Sequence, residues 1–201
     1  MYKIGITGGI ATGKSTVTSY LIEKGFPVID CDILARKALE KNTPAYKAVL
    51  HKFGSEIKQK DAEIDRKKLA NIVFNNSNKR KDLERIVHEQ VLRDVQSRLR
   101  LLVQKKEPLV FIDIPLLFEV KWNFIVDETW VIACDEKTQI KRLMKRDELD
   151  ESDARDRLDA QIPIDEKKKL GNVVISSNNS IDDTLAEVDK ELKRLVSQIN
   201  Q

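Results

Sequence analysis

The 201-residue sequence has few cysteines, and they lie far apart. Cys31 and Cys134 are the only two, and neither belongs to a Cys-x-x-Cys motif. A disulfide framework or a zinc knuckle needs more cysteines at closer spacing, so neither is indicated. We therefore expect the protein to work in a reducing compartment.

Long apolar runs are also missing. No stretch approaches the roughly 18 apolar residues that a membrane-spanning helix requires. The opening residues, Met-Tyr-Lys, lead directly into a predicted strand and do not resemble a signal peptide. We expect a cytoplasmic protein without a membrane partner.

The sequence has no strong excess of charge of either sign. It contains 36 basic and 33 acidic residues, a formal net charge of +3, which is too small to indicate a nucleic-acid partner. Hydrophobic residues make up 41% and charged residues 34%, so wholesale disorder and collagen-like structure are excluded. The length suits one large domain, or one core that carries an insertion.

Five short apolar runs are typical of buried strands. They lack strict polar alternation, as strands covered on both faces do, and the stretches between them have helical periodicity. The pattern predicts an α/β fold with a five-stranded parallel sheet flanked by helices. The predicted strands are 2–7, 27–30, 109–113, 129–133 and 173–176.

Two long intervals between the predicted strands indicate additions to this core. The interval between the second and third strands is far longer than a simple crossover, and residues 33–106 are predicted to form a helical insertion. Residues 136–169 are dense in charge and sparse in apolar side chains, so they are predicted to form a solvated, mobile lid. The core then comprises residues 1–32, 107–135 and 170–201 of a single domain.

A phosphate-binding loop follows the first predicted strand. Residues 8–15 match Gly-x-x-x-x-Gly-Lys-[Ser/Thr], the P-loop motif, and a helical stretch comes next. Its backbone N–H groups are expected to point inward at an anion, and the helix dipole adds positive potential. We expect Lys14 to contact the β- and γ-phosphates and the Ser15 hydroxyl to bind Mg²⁺. The amides belong to Gly9, Ile10, Ala11, Thr12, Gly13, Lys14 and Ser15.

The motifs of a GTPase switch are absent from the sequence. It contains neither Asn-Lys-x-Asp, which reads guanine, nor an Asp-x-x-Gly sensor. A small kinase that encloses its acceptor beneath a lid fits better. The alternatives are a P-loop kinase for another small acceptor and a non-enzymatic, nucleotide-gated interaction protein.

Two aspartates at predicted strand ends are candidates for phosphoryl-transfer chemistry. Because ligands bind at the carboxyl ends of parallel strands, we interpret Asp32 as the base that accepts the acceptor's hydroxyl proton. The alternative is that Asp32 caps a helix beginning at Ile33. Asp113 follows an apolar run, as a Walker B carboxylate does, and is predicted to hold a magnesium-bound water. Its alternative role is a turn residue before Pro115.

Several arginines lie in the predicted lid, at positions 142, 146, 155 and 157. Arginines on a closing lid can stabilise the charge of a transferring phosphoryl group. The usual meaning of such a charge run is a solvated helix face. We expect one or two of the four to act in catalysis. His88, from its spacing alone, is expected to be a surface or boundary residue.

Together these motifs resemble those of the dephospho-coenzyme A kinase family. The resemblance is carried by GITGGIATGKST, Asp30-x-Asp32 with Arg36, Pro115-Leu-Leu-Phe-Glu119, Gln139-x-x-Arg142-Leu-x-x-Arg146-Asp147 and Arg157-x-x-x-Gln161. It extends from residue 2 to about residue 185. It implies ATP-dependent phosphorylation of the ribose 3′-hydroxyl of dephospho-CoA, the last step of CoA synthesis. It also implies a nucleoside-monophosphate-kinase-like core with a helical CoA-binding region and a lid.

The resemblance also assigns residues to roles. The catalytic base falls on Asp32, and the ATP loop extends from Ala11 to Thr16. The lid arginines are Arg142, as a catalytic residue, and the ATP-binding Arg146 and Arg157. The acceptor-side residues are Thr7, Asp32, Arg36, His88, Pro115, Leu116, Leu117, Phe118 and Glu119. ATP and Mg²⁺ are the expected cofactors, dephospho-CoA is the expected partner, and no obligate protein partner is inferred.

Overall fold

The computed structural model of the chain describes residues 1–74 and 76–199. The chain divides into two compact units, one made of Met1–Asp30 and Leu102–Gln201 and the other of Cys31–Leu101. The second unit covers most of the predicted insertion, 33–106. Within the described ranges, no helix has both the length and the apolar composition needed to cross a bilayer.

The elements alternate between strands and helices in the first unit and are mainly helical in the second. The strands are β1 (Tyr2–Gly8), β2 (Val28–Asp30), β3 (Leu109–Asp113), β4 (Glu128–Ala133) and β5 (Val173–Ser176). The helices are α1 (Lys14–Glu23), α2 (Cys31–Lys37), α3 (Pro44–Phe53), α4 (Arg66–Phe74), α5 (Ser77–Gln104), α6 (Glu136–Asp147), α7 (Glu151–Asp159), α8 (Ile164–Leu170) and α9 (Ile181–Ile199). Short 3₁₀ turns occupy Ser55–Ile57 and Trp122–Ile125.

The sheet of the first unit has the strand order β2-β3-β1-β4-β5, and each neighbouring pair is parallel. In the register, Asp113 of β3 lies opposite Ile6 of β1 on one side and Asp30 of β2 on the other. The carboxyl ends of these strands therefore meet at one edge, where β1 runs into the P-loop. The predicted five-stranded parallel sheet is confirmed.

Both faces of this sheet are covered. Alternate residues of a strand point to opposite faces, so Ile4 and Ile6 share one face and Val131 lies on the other. The first face packs against α1 and α9, in a core that includes Phe111, Trp130, Ile132, Val17, Leu21, Val188, Leu192 and Leu195. On the second face, Val131 and Ala133 contact Ile164 of α8 and the partly buried Phe118. Burial on both faces explains why the strands are apolar almost throughout.

Residues 136–169 are less solvated than predicted. Ile140 and Leu143 of α6 form a buried cluster with Ala154 of α7, and the partly buried Ile10 and Ala11 of the P-loop pack against it. The prediction of a fully solvated segment is therefore wrong for this face. The apolar stripe is short, with Ile140 and Leu143 one turn apart, and the surrounding charges obscure it in the sequence.

The second unit is a helical subdomain with its own core. The Thr43 hydroxyl accepts the backbone N–H of Tyr46 at 3.0 Å and caps α3, as a threonine before Pro44 is expected to do. The long α5 begins at Ser77 and is capped by Asn76, whose side chain accepts the Lys79 N–H at 3.0 Å. The core contains Ala45, Tyr46, Val49, Phe53, Ile57, Ile64, Leu69 and Ile86.

Candidate active site

The P-loop joins the end of β1 to the start of α1. Gly13 has φ of 81°, in the left-handed region that favours glycine, and it directly precedes the first residue of α1. A Cβ on Gly9 would lie 2.4 Å from Nε2 of Gln139, so a larger residue there would displace the Gln139 side chain from the loop. The loop therefore leads into a helix N-terminus whose first amides have no intrahelical partner, which is a favourable site for phosphate.

The Ile10 peptide of this loop is held from outside the loop. Its N–H donates to Gln161 Oε1 at 3.1 Å, and its carbonyl accepts from Gln139 Nε2 at 2.8 Å. The Ile10 amide is therefore committed to Gln161. The expectation that every amide from Gly9 to Ser15 points at an anion is wrong at Ile10, because a side chain distant in sequence occupies it. The Thr12 hydroxyl closes the loop internally with a 2.9 Å bond to the Gly9 carbonyl.

Lys14 and Asp113 form an ion pair between the P-loop and the end of β3. Asp113 is only 5% exposed, so its charge is compensated mainly by protein groups. The Lys14 ammonium ends a long, flexible side chain that is 17% exposed. It can turn from this carboxylate to a bound phosphate without a change of backbone.

Arg142 is connected to the P-loop through the turn after β5. Its guanidinium donates to the Ser177 carbonyl at 2.7 Å, and the Ser177 hydroxyl donates to the Thr12 carbonyl at 2.7 Å. A cavity of about 230 Å³ opens beside this connection. Its lining includes Gly13, Thr16, Arg142, Ser177 and Asn179. A guanidinium beside a cavity at the start of the P-loop helix can contact a nucleotide there.

Arg146 and Arg157 share one carboxylate. Arg146 Nε donates to Asp147 Oδ1 at 2.7 Å, and Arg157 donates to Asp147 Oδ2 at 2.6 Å. The hydrogen bond from Arg146 holds the pKa of Asp147 below its ordinary value. Arg155 instead pairs with Glu151, one turn away on the exposed face of α7. The side chains of Arg146, Arg155 and Arg157 are 57%, 52% and 50% exposed, so each lies on a solvated face. Arg146 and Arg157 differ from Arg155 in that they share one carboxylate.

The predicted acceptor segment, 115–119, follows β3 beside the P-loop. Thr7 Oγ1 donates to the Pro115 carbonyl at 3.1 Å, and Glu119 Oε1 accepts the Ile162 N–H at 3.2 Å. Leu117 is fully buried, so its side chain packs in the core and does not reach a ligand. Leu116 is 40% exposed, so a ligand can reach its side chain.

The second unit carries the remaining predicted residues. Its helix α2 begins at Cys31, so Asp32 lies within the first turn and not at the cap of a helix that starts at Ile33. Asp32 and Arg36 are exposed and one helical turn apart. His88 of α5 is half-buried, and burial lowers its pKa against the opposing effect of Glu84, which favours a neutral imidazole at pH 7.

Sequence reasoning missed two residues that contact the P-loop. Ser177 follows β5, and position at a carboxyl strand end was the signal that could have found it. Lys167 of α8 is fully buried and donates to the Gly8 carbonyl at 3.2 Å. In the sequence it lies in the run Lys167-Lys168-Lys169, and such a run is typical of a solvated surface, so the sequence does not single it out. Gln139 and Gln161 were noted within motifs, but their contacts with Ile10 were not predicted.

The loop, the sheet order and the strand-end carboxylate together define the class of protein as a P-loop kinase. The shikimate kinase of Aquifex aeolicus shares this fold, with a TM-score of 0.51 at 15% identity over 96% of each chain. The family model described as dephospho-CoA kinase matches residues 2–183. The chain belongs to the dephospho-CoA kinase family, and the family resemblance seen in the sequence is confirmed.

Individual relatives are similar to this chain over nearly its whole length. A dephospho-CoA kinase of Oceanobacillus iheyensis is 46% identical over 191 residues, which are 95% of this chain and 96% of the relative. The dephospho-CoA kinase from Campylobacter jejuni has a solved structure that is 32% identical, with a TM-score of 0.74 over 99% of this chain and 98% of that one. The Thermus thermophilus protein TT1252 has a TM-score of 0.81 at 34% identity, over 96% and 97% of the two chains.

Proposed function

We propose that the protein transfers the γ-phosphoryl group of ATP to the ribose 3′-hydroxyl of dephospho-CoA, giving CoA and ADP in the last step of CoA synthesis. The observation that carries this proposal is the family match over residues 2–183. The 46% identical relative is named dephospho-CoA kinase, which supports the choice of acceptor. The protein acts in the cytoplasm, a location with which its two buried thiols are compatible.

ATP binds with its phosphates on the loop from Ala11 to Thr16. The unpartnered amides at the start of α1 and the Lys14 ammonium neutralise the β- and γ-phosphates. The nucleoside lies in the cavity beside Arg142 and Ser177, which is open next to Gly13. Gly9 and Ile10 shape the loop. The N–H of Ile10 donates to Gln161 and that of Thr12 to the Gly9 carbonyl, so other amides of the loop bind the phosphates.

The oxygen donors Ser15 and Asp113 fit Mg²⁺. Within residues 1–74 and 76–199, no group of three or more histidine, cysteine or acidic side chains could hold a metal by itself. Mg²⁺ is usually bound through one or two protein oxygens, water and substrate phosphates. Bound there, Mg²⁺ would neutralise charge on the β- and γ-phosphates. Asp113 would hold a metal-bound water once Lys14 has turned to the phosphates.

Asp32 is the base of an in-line transfer. Its carboxylate takes the proton of the 3′-hydroxyl while the ribose oxygen bonds to the γ-phosphorus and the bond to the ADP oxygen breaks. Arg36, the neutral His88 and residues 115–119 hold dephospho-CoA. Residues 136–169 close as a lid, so that Arg142, Arg146 and Arg157 stabilise the charge of the transferring group away from water.

A panel of acceptors tests the proposed function. ADP release is measured with ATP and, in turn, dephospho-CoA, nucleoside monophosphates, nucleosides, shikimate and gluconate. We expect dephospho-CoA to stand apart by its kcat/KM and CoA to form in equal amount with ADP. A different preferred acceptor, or nucleotide binding without acceptor-dependent ADP release, would contradict the proposal.

A variant tests the assigned base separately. Asp32→Asn should bind ATP normally and lose turnover by about 10² to 10⁴-fold, because the amide cannot accept the proton. Asp61→Asn is the matched control, since Asp61 is an exposed aspartate of the same unit. ATP affinity is measured by calorimetry and turnover by coupled ADP release. Near-normal turnover of Asp32→Asn would exclude Asp32 as the base.

A further inference from the structure

The α8 helix holds a lysine in an unusual environment for its type. The Lys167 side chain is 0% exposed, although its neighbours Lys168 and Lys169 are solvated. Lysine is almost never fully buried unless its charge is paired, because burial removes the hydration of the ammonium. The contacts of Lys167 therefore need an account beyond helix packing.

The Lys167 ammonium has acceptors on three positions of the chain. Nζ lies 2.8 Å from Glu119 Oε1, 3.2 Å from the Gly8 carbonyl and 3.4 Å from the Pro115 carbonyl. An ammonium has three N–H groups, so three acceptors satisfy it. Gly8 begins the P-loop, and Pro115 and Glu119 bound the predicted acceptor segment. One buried charge thus touches both substrate-facing segments.

The contact with Gly8 also sets the direction of the next amide. A trans peptide is planar, with its C=O and N–H pointing in opposite directions. Since no peptide bond in the described ranges is cis, fixing the Gly8 carbonyl on Lys167 points the Gly9 N–H away from Lys167. The orientation of the first peptide of the P-loop therefore depends on a residue of α8.

The acceptor side is fixed by the same group. The Pro115 carbonyl accepts from both Lys167 and the Thr7 hydroxyl, at 3.4 and 3.1 Å. Glu119 Oε2 is buried and has no hydrogen-bond partner within the described part of the chain. Glu119 is therefore held in place by one oxygen, on Lys167 and the Ile162 N–H, while its second oxygen is left without a donor.

We propose that Lys167 is a positioning residue, which fixes the P-loop and the 115–119 segment relative to each other so that the γ-phosphate and the acceptor hydroxyl meet in line. This inference rests on the proposed function. It predicts that loss of the Lys167 contacts lowers kcat more than it lowers the stability of the fold. Misplacement by about 1 Å of groups remote from the reacting atoms can cost 10²-fold in rate.

Variants with and without the buried charge test the proposal. Lys167→Met alone leaves Glu119 as an uncompensated buried charge and will destabilise the protein. The double variant Lys167→Met with Glu119→Gln removes both charges, so it is compared with Glu119→Gln alone, which keeps the Gly8 and Pro115 contacts. Lys169→Met, an exposed lysine of the same helix paired with Glu166, is the control and should keep wild-type kinetics.

We expect the double variant to be at least as stable as Glu119→Gln, in which the buried Lys167 ammonium keeps only the two carbonyl acceptors, but to have a kcat about 10²-fold lower, with the KM for ATP changed far less. If Lys167 only neutralises Glu119, kcat of the double variant will equal that of Glu119→Gln, and the proposal is overturned. Wild-type turnover of dephospho-CoA is measured first, so a failure of the proposed function is recognised separately.

A measurement on the wild-type protein covers the case in which the double variant does not fold. A buried, hydrogen-bonded ammonium exchanges slowly with water and can be observed by ¹H–¹⁵N NMR. The Lys14→Ala variant identifies the signal of the other partly buried ammonium at the loop. We expect the Lys167 signal to shift when ADP is added and again when dephospho-CoA is added. A signal that neither ligand moves would overturn the proposal.

Discussion

Two carboxylates in the first unit are buried against cations, in different surroundings. Glu128, the first residue of β4, pairs with Arg194 of α9, and Asp113, the last residue of β3, pairs with Lys14 of the P-loop. Their exposed fractions are similar, 8% for Glu128 and 5% for Asp113. Burial of charge alone therefore does not distinguish a structural pair from a functional one.

The surroundings of Glu128 are those of a structural pair. Besides Arg194, it accepts the indole N–H of Trp130 at 2.8 Å and has a long, 3.5 Å contact with the Tyr2 hydroxyl. These donors belong to residues of the sheet and of α9, so the protein itself satisfies the carboxylate. The pair links α9 to the sheet.

The surroundings of Asp113 are those of a ligand site. Its partner Lys14 lies at the start of α1, where the first backbone amides of a helix have no intrahelical acceptor and can bind an anion. A phosphate can replace Asp113 as the partner of Lys14, whereas no ligand group can replace Glu128 without unpacking Trp130. The comparison teaches that a buried pair is functional where one member can exchange its partner for a ligand.

The largest effect that tests this comparison is on activity. We expect Lys14→Ala to lower kcat by about 10³-fold, because the loss of a fixed cation at the phosphates resembles the loss of an oxyanion-hole donor. ADP should raise the Tm of the wild type and raise that of the variant less, since weaker binding stabilises less. Coupled ADP release and thermal unfolding with and without ADP measure both.

Lys24→Ala is the control for that prediction. Lys24 follows α1 and pairs with Asp189 at the surface, 3.1 Å away, so its loss should leave kcat and the ADP-dependent Tm shift unchanged. If Lys14→Ala lost stability but kept its kcat, the Lys14–Asp113 pair would be structural in the way that the Glu128 pair is.

The elements of this fold could largely be predicted from the sequence. The strands are short apolar runs whose burial on both faces leaves a clear local pattern, and the P-loop is a contiguous motif. The pairing of Lys14 with Asp113 could not be derived in the same way, although both residues were candidates. The two residues are distant in sequence, and their contact follows from the order β3-β1 in the sheet.

The contacts that α6 and α8 make with the P-loop could not be predicted from the local sequence pattern. A lysine in a charged run is usually solvated, and only the neighbours that cover Lys167 make it buried. The contacts of the Ile10 peptide could not be predicted either, because its partners Gln139 and Gln161 come from separate later segments. Asp32 is the candidate base because it follows a predicted strand, and its role as the base stays a prediction. Such details depend on which side chains the tertiary fold brings together.

The intermediate effect is on stability. We expect Glu128→Gln to lower the free energy of unfolding by about 1 to 3 kcal/mol, because Arg194 keeps only Glu191 as a charged partner while the new amide still accepts one hydrogen bond. Its kcat should equal that of the wild type. Urea unfolding and coupled ADP release provide the two values. A fall in kcat without a loss of stability would erase the distinction between the two pairs.

The smallest effect is on the pH dependence of stability. The pKa of Tyr2 is raised above its ordinary value of about 10, by burial first and then by the negative charges of Glu128 and Asp127, against the opposing effect of Arg194. Above the ordinary pKa, the unfolded tyrosine ionises while the native one keeps its proton, so stability is lost as the pH rises through the native pKa. We expect Tyr2→Phe to reduce the fall in the free energy of unfolding between about pH 9 and 11. In a Glu128→Gln background the same substitution should change that fall less, and an equal change in both backgrounds would show that Glu128 does not act on Tyr2.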